Sequence, residues 1–172
     1  MTIGPDTKLS VALDLAPGVL DYVVSLNPHD FQRLRKPLMR RLMAPRITLG
    51  RVARMVNVPV EQMLRRISEL SGAPIGSMAE SALPQSPVER PAWIPAVPDR
   101  EVDLLPMDET LDADPMPPVM HALMALKPGE VLRFRHKWEP QPFYDLWTRM
   151  GGLEWYSESA GEDVWLIWVL RK

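Results

Sequence analysis

Asp114-Pro115-Met116-Pro117-Pro118-Val119-Met120-His121-Ala122-Leu123-Met124-Ala125-Leu126-Lys127-Pro128-Gly129-Glu130-Val131-Leu132-Arg133-Phe134-Arg135-His136 is the stretch that decides the fold. Asp114 is a residue type that caps helices, a role that contributes about 1 kcal/mol. The prolines at 115, 117 and 118 are tolerated in a first turn, whose N–H groups have no intrahelical partner. Val119, Ala122, Leu123 and Leu126 then recur at helical spacing and define a core face. Lys127-Pro128-Gly129-Glu130 is a turn, and Val131 to His136 reads as a strand. A helix followed by a tight turn into a strand is half of an α/β layer.

Working outward, Val102 to Leu105 reads as a preceding strand and Pro142 to Met150 as a second helix closed by Gly151-Gly152. Two more strands, Leu153 to Ser157 and Val164 to Leu170, flank the turn Ala160-Gly161-Glu162-Asp163. The order is β-α-β-α-β-β. The last strand, Val164-Trp165-Leu166-Ile167-Trp168-Val169-Leu170, is apolar on both faces. Two helices cover one face of a four-stranded sheet, so the other needs the first domain, the linker or a second copy of the chain. Trp138 and Trp155 are expected on that same face.

Upstream, residues 73–100 hold six prolines and little periodicity, which reads as an extended linker, anchored at most at Trp93-Ile94. Before it lie short helices. Pro17 suits a first helical position ahead of Val19, Leu20, Val23 and Val24, and Asn27-Pro28 ends that helix. Asp30, Phe31 and Leu34 begin another, which Pro37 interrupts or restarts. Thr48 caps a helix with Leu49, Val52, Ala53 and Val56, and Asn57-Val58-Pro59 turns the chain. Val60, Met63, Leu64, Ile67 and Leu70 stripe a last helix, ended by Gly72.

The net charge of −2 over 172 residues hides a polarity. Residues 1–72 carry eleven Lys/Arg against six Asp/Glu, net +5, and the remainder nine against sixteen, net −7. Between Phe31 and Val60 there are eight basic residues and no acid. An acidic partner for the first half is expected, whether nucleic acid, a protein surface or the chain's own second half. With no cysteine there is no disulfide, thiolate nucleophile or Cys-based metal site. The start lacks a basic-then-apolar signal pattern and no apolar run reaches membrane-spanning length, so a cytoplasmic chain without a membrane contact is expected.

The run Asp114-Pro115-Met116-Pro117, its helix and the Lys127-Pro128-Gly129-Glu130 turn resemble the TusA/SirA-like superfamily, in particular its uncharacterised cysteine-less branch. The resemblance implies a two-layer sandwich in which Asp114 stands where the sulfur carriers keep a persulfide cysteine. A carboxylate cannot carry sulfane sulfur. More weakly, Arg33-Leu34-Arg35-Lys36-Pro37-Leu38 resembles the Cys-x-x-Cys-Pro-Leu stretch of the helical domain found with hybrid-cluster and iron–sulfur-repair proteins. Here the cysteines are replaced by Arg33 and Lys36. The pairing of these two resemblances implies a bacterial setting in redox or nitrogen-oxide metabolism.

The expected fold class is α+β: an N-terminal small helical bundle (1–72), the linker (73–100) and a C-terminal two-layer sandwich of TusA-like order (101–172). Candidate ligand- or partner-binding residues are Arg33, Arg35, Lys36, Arg40 and Arg41, a basic face able to meet phosphate, haem propionate or an acidic surface, together with Asp114. Residues 48–67 imitate a helix-turn-helix, with Ala53 at the crossing and Asn57 in the turn, but Pro59, Val60 and Glu61 at the base-reading positions are poor donors to bases. Met116, Met120 and Met124 form a stripe that suits packing better than Cu(I). His29, His121 and His136 have no ligand spacing, and no catalytic residue, metal site or cofactor is expected. The leading expectation is a non-enzymatic accessory or binding protein that contacts a protein or small ligand, with a homodimer as one form of self-association. The alternatives are a DNA-binding regulator using residues 48–67, and a haem or metal carrier or an enzyme with residues gathered in the interdomain cleft.

Overall fold

The computed structural model describes residues 1–79, 85–110 and 113–172. The chain divides into two compact units, Met1–Ala82 and Leu83–Lys172. The protein is α+β: the first unit is helical, and the second has a four-stranded mixed sheet with its helices.

The first unit contains α1 (Leu9–Leu15), α2 (Pro17–Leu26), α3 (Pro28–Phe31), α4 (Pro37–Met43), α5 (Leu49–Met55) and α6 (Val60–Ser71). Sequence patterning missed α1. Pro17, Pro28 and Pro37 each open a helix, where a missing N–H costs nothing. Asn27 Oδ1 accepts from the Asp30 N–H at 3.2 Å, so the residue that stops α2 also caps α3. A 3-10 turn, Gln32–Arg35, joins α3 to α4. Thr48 Oγ1 accepts from the Arg51 N–H at 3.4 Å and starts α5. Asn57 takes a positive φ of 53° in the α5–α6 turn, and Gly72, at φ 71°, ends α6. The core joins Leu9 and Ala12 of α1, Val19 and Val23 of α2, Leu49, Val52 and Ala53 of α5, and Met63, Leu64 and Ile67 of α6.

The second unit contains β1 (Arg100–Asp103), α7 (Leu105–Thr110), α8 (Met116–Met124), β2 (Val131–His136), α9 (Gln141–Met150), β3 (Leu153–Gly161) and β4 (Val164–Arg171). The strand order is β1-β2-β4-β3, with β1 parallel to β2 and the other two pairings antiparallel. Sequence reading gave one helix between the first two strands, and the structure has two. Leu105, expected as the end of β1, instead opens α7, because Asp103 Oδ1 accepts from its N–H at 3.1 Å and turns the chain. The residues between α7 and Ala113 lie outside the described set.

Alternation along the strands builds two faces. Leu132, Phe134, Ile167 and Val169 face α8 and α9, where Val119, Leu123, Phe143, Tyr144 and Trp147 complete a buried core. The opposite face carries Val131, Tyr156 and Trp168, and Trp93 and Ile94 pack on it. A stretch of the expected linker is thus the cover that the two-faced strand β4 requires; Pro84 of that linker lies outside the described residues. Arg90 continues this cover, its guanidinium 4.8 Å from the centre of the Trp168 ring and 3.0 Å from Glu158 Oε1. Trp155 and Trp138 are not on this face. Trp155, in the opposite phase of β3 from Tyr156, stacks on Tyr144 in the helix-side core at 5.7 Å, and Trp138, past the end of β2, lies 4.7 Å from the His136 ring.

Candidate functional site

Four of the five basic residues singled out in the first unit reach the surface, and one does not. Arg35 and Lys36 end the 3-10 turn and are exposed, Arg41 is exposed on α4, and Arg40 is half-buried beside it. Arg33, one residue type and two positions from Arg35, is 1% exposed and belongs to the interior, as does Arg51 of α5. The turn buries the adjacent Arg33 and Leu34 and exposes Gln32 and Arg35, and a long arginine stem packs readily as an apolar rod. Arg35 Nη1 binds Asp21 Oδ1 of α2 at 2.9 Å, which anchors the 3-10 turn to α2. Between Lys36 and Arg40 in sequence, Leu38 is 63% exposed. The helix-turn-helix-like pair presents a different surface. The outward positions of α6 are Glu61, Gln62, Arg65, Arg66 and Glu69, with Arg66 paired to Glu69 at 2.9 Å, so its charge is mixed in sign.

In the second unit the N-terminus of α8 and the carboxyl ends of β1 and β2 share one end of the sheet. The opposite end is fixed by Arg171 Nη1, which donates to the carbonyls of Met124 and Leu126 at 3.2 and 2.7 Å, and by Arg100 Nη2, which reaches the Ala125 carbonyl at 3.5 Å. Asp114 therefore stands at the strand-exit end, the place where α/β layers commonly hold ligands. Its Oδ1 accepts from the Met116 N–H at 3.0 Å, so it acts as the turn-closing acceptor in front of α8.

At the same end lies a pair that motif spacing did not reveal. His136 Nδ1 is 2.8 Å from Asp108 Oδ2, and the two side chains are 2% and 0% exposed. The same carboxylate oxygen accepts from the Lys137 N–H at 3.1 Å. In a neutral ring this makes Nδ1 the donor and Nε2 the acceptor. Asp108 comes from α7 and His136 from the last position of β2, 28 residues apart, so no local motif joins them. The available signal was period two: Leu132, Phe134 and His136 share a phase, which sends the histidine to the buried face. A carboxylate-held imidazole is the arrangement that orients a base or a metal ligand. Here both groups are enclosed, with Trp138 beside the ring, and among the described residues no three His, Asp or Glu side chains gather for a metal. A second polar network joins Tyr144 Oη to Ser157 Oγ in a short hydrogen bond and to Glu139 Oε1 at 3.3 Å. Both networks position secondary structure around a closed core.

Residues 107–171 match the model of a family described as an uncharacterized conserved protein (DUF2249). The match runs from within α7 to the last residue of β4. Comparison with curated proteins and with solved structures finds no match. Fold and comparison together define a two-unit α+β protein. Its C-terminal unit carries a domain of unknown function. Among the described residues no helix is long and apolar enough to cross a membrane.

Proposed function

We propose that this protein is a non-enzymatic accessory protein that binds an acidic protein surface through α4 and the 3-10 turn before it. The observation that supports this reading is Leu38, 63% exposed in a stretch of sequence that also holds Arg35, Lys36, Arg40 and Arg41. An exposed apolar side chain in a basic segment suits an acidic partner with an apolar anchor, since charge steers the encounter and the anchor holds it. A phosphate-binding face has no use for an exposed leucine. The TusA-like descent of the C-terminal unit belongs to this proposal, supported by its helix-backed sheet and by Asp114 at the front of α8. The redox or nitrogen-oxide setting is carried by the two family resemblances.

The test is a photo-crosslinking amino acid placed at position 38, followed by identification of the cross-linked species. A discrete acidic protein, lost when Lys36 and Arg41 are both changed to Glu, is the expected result. Arg33 is unsuited to such a test because it is interior. Steeply salt-dependent binding of random-sequence duplex DNA, abolished by Arg65→Glu with Arg66→Glu, would transfer the function to α5 and α6. Co-purifying haem or metal would replace the proposal with a carrier role.

A further inference from the structure

The outer edge of β3 offers main-chain groups in a groove. Ser86 Oγ takes both outward groups of Ser157, accepting from its N–H at 2.7 Å and donating to its carbonyl at 3.4 Å. Ser157 therefore points its main-chain pair away from β4, and alternation places those of Trp155 and Leu153 on the same outer edge. The Lys172 N–H on the Gly152 carbonyl at 2.9 Å confirms the phase, because Gly152 faces the other way. Among the described residues no hydrogen bond occupies the outward groups of Leu153 or Trp155. They border a groove of about 390 Å3, lined by Leu153, Glu154 and Trp155 from the strand and by Gln85, Pro87, Pro91 and Trp93 from the covering segment.

We propose that this groove takes a short extended peptide from another protein, which adds to β3 through main-chain hydrogen bonds to Leu153 and Trp155. Charge selects its side chains. The carboxylate in the groove, Glu154, is matched by Lys172 Nζ at 2.6 Å, so the site is electrically neutral and favours an uncharged occupant. Tryptophan and proline walls favour a peptide that is apolar where it meets Trp93. A second copy of this chain is a poor occupant, because Ser86 already holds the edge at Ser157 and two outward residues are too short a run for a strand-to-strand dimer.

The probe is a capped Ser-Val-Thr-Val-Ser peptide titrated into the full chain, with amide shifts and hydrogen exchange read by NMR. The Leu153 and Trp155 amides are expected to shift and to exchange more slowly. A fully N-methylated copy, unable to donate, is expected to bind at least fivefold more weakly. Leu153→Pro removes one outward N–H and leaves the ladder with β4 intact, so it should weaken binding as strongly. The N-methylated peptide gives the same information without altering the protein. Equal binding of the N-methylated copy, unmoved Leu153 and Trp155 amides at millimolar peptide, or a dimer of the full chain using this edge would each overturn the proposal.

Discussion

Asp108→Ala should destabilise the C-terminal unit more than any surface change on it. The carboxylate is fully enclosed and satisfies at least two donors, His136 Nδ1 at 2.8 Å and the Lys137 N–H at 3.1 Å. Truncation strands both, and each buried donor left unmade costs about 1–3 kcal/mol. A total of roughly 3 kcal/mol is expected, which for a unit of this size corresponds to about 12–24 °C in Tm. The assay follows from composition: all six tryptophans lie between Trp93 and Trp168, so urea unfolding followed by tryptophan fluorescence reports the C-terminal unit alone. The double change Asp108→Ala with His136→Phe should recover about 1 kcal/mol, because removing both partners leaves fewer stranded groups than removing one. A single variant within about 1 kcal/mol of the parent would refute the reasoning, as would a double variant weaker than the single one.

Two further outcomes follow from local geometry. The Tyr156 phenol should ionise above its ordinary value, since burial first, then the hydrogen bond and charge of Glu158, favour the neutral form against the pull of Arg90. The folded state then keeps the proton longer than the unfolded chain, so this contribution to stability is complete below about pH 10 and is lost as the pH rises through the raised value. Carbon-13 labelled tyrosine would show it, and Glu158→Gln should bring the midpoint down. In the first unit, Gly72→Ala should cost about 1 kcal/mol from its left-handed φ of 71° alone, as open space surrounds the added methyl. Gly18→Ala should instead stabilise by about 0.5 kcal/mol, its methyl meeting Leu70 Cδ2 at an ordinary 3.5 Å. Far-ultraviolet circular dichroism melting separates the two signs.

Helices opened by proline and closed by Gly72 were legible because those residues act within one turn of where they stand. Strand β2 was legible residue for residue, and α8 nearly so, because turn chemistry brackets both. The α7 helix was missed since its start depends on a single side-chain bond from Asp103, and its six residues carry no periodic stripe. The four strands and their sequence order were readable, and so was the need for a cover over β4. Which element supplies that cover was left open, because Trp93 and Ile94 meet Trp168 across more than seventy positions of sequence. The basic face was legible as composition, yet composition counts Arg33 and Arg41 alike, and only the fold separates an interior arginine from an exposed one. The Asp108–His136 pair was invisible for a related reason: tertiary pairing has no spacing rule.

The covering segment also bears on where the C-terminal unit can be cut without exposing its core. The block shared with the family begins at residue 107, whereas β1 and the stretch holding Ser86, Arg90 and Trp93 come before it. A chain trimmed to the shared block would leave β2 as an open border and Tyr156 and Trp168 in contact with water. The matched stretch is thus shorter than the unit that contains the whole sheet and its cover. Expression trials that start near residue 85 should yield soluble material where those starting at 107 precipitate.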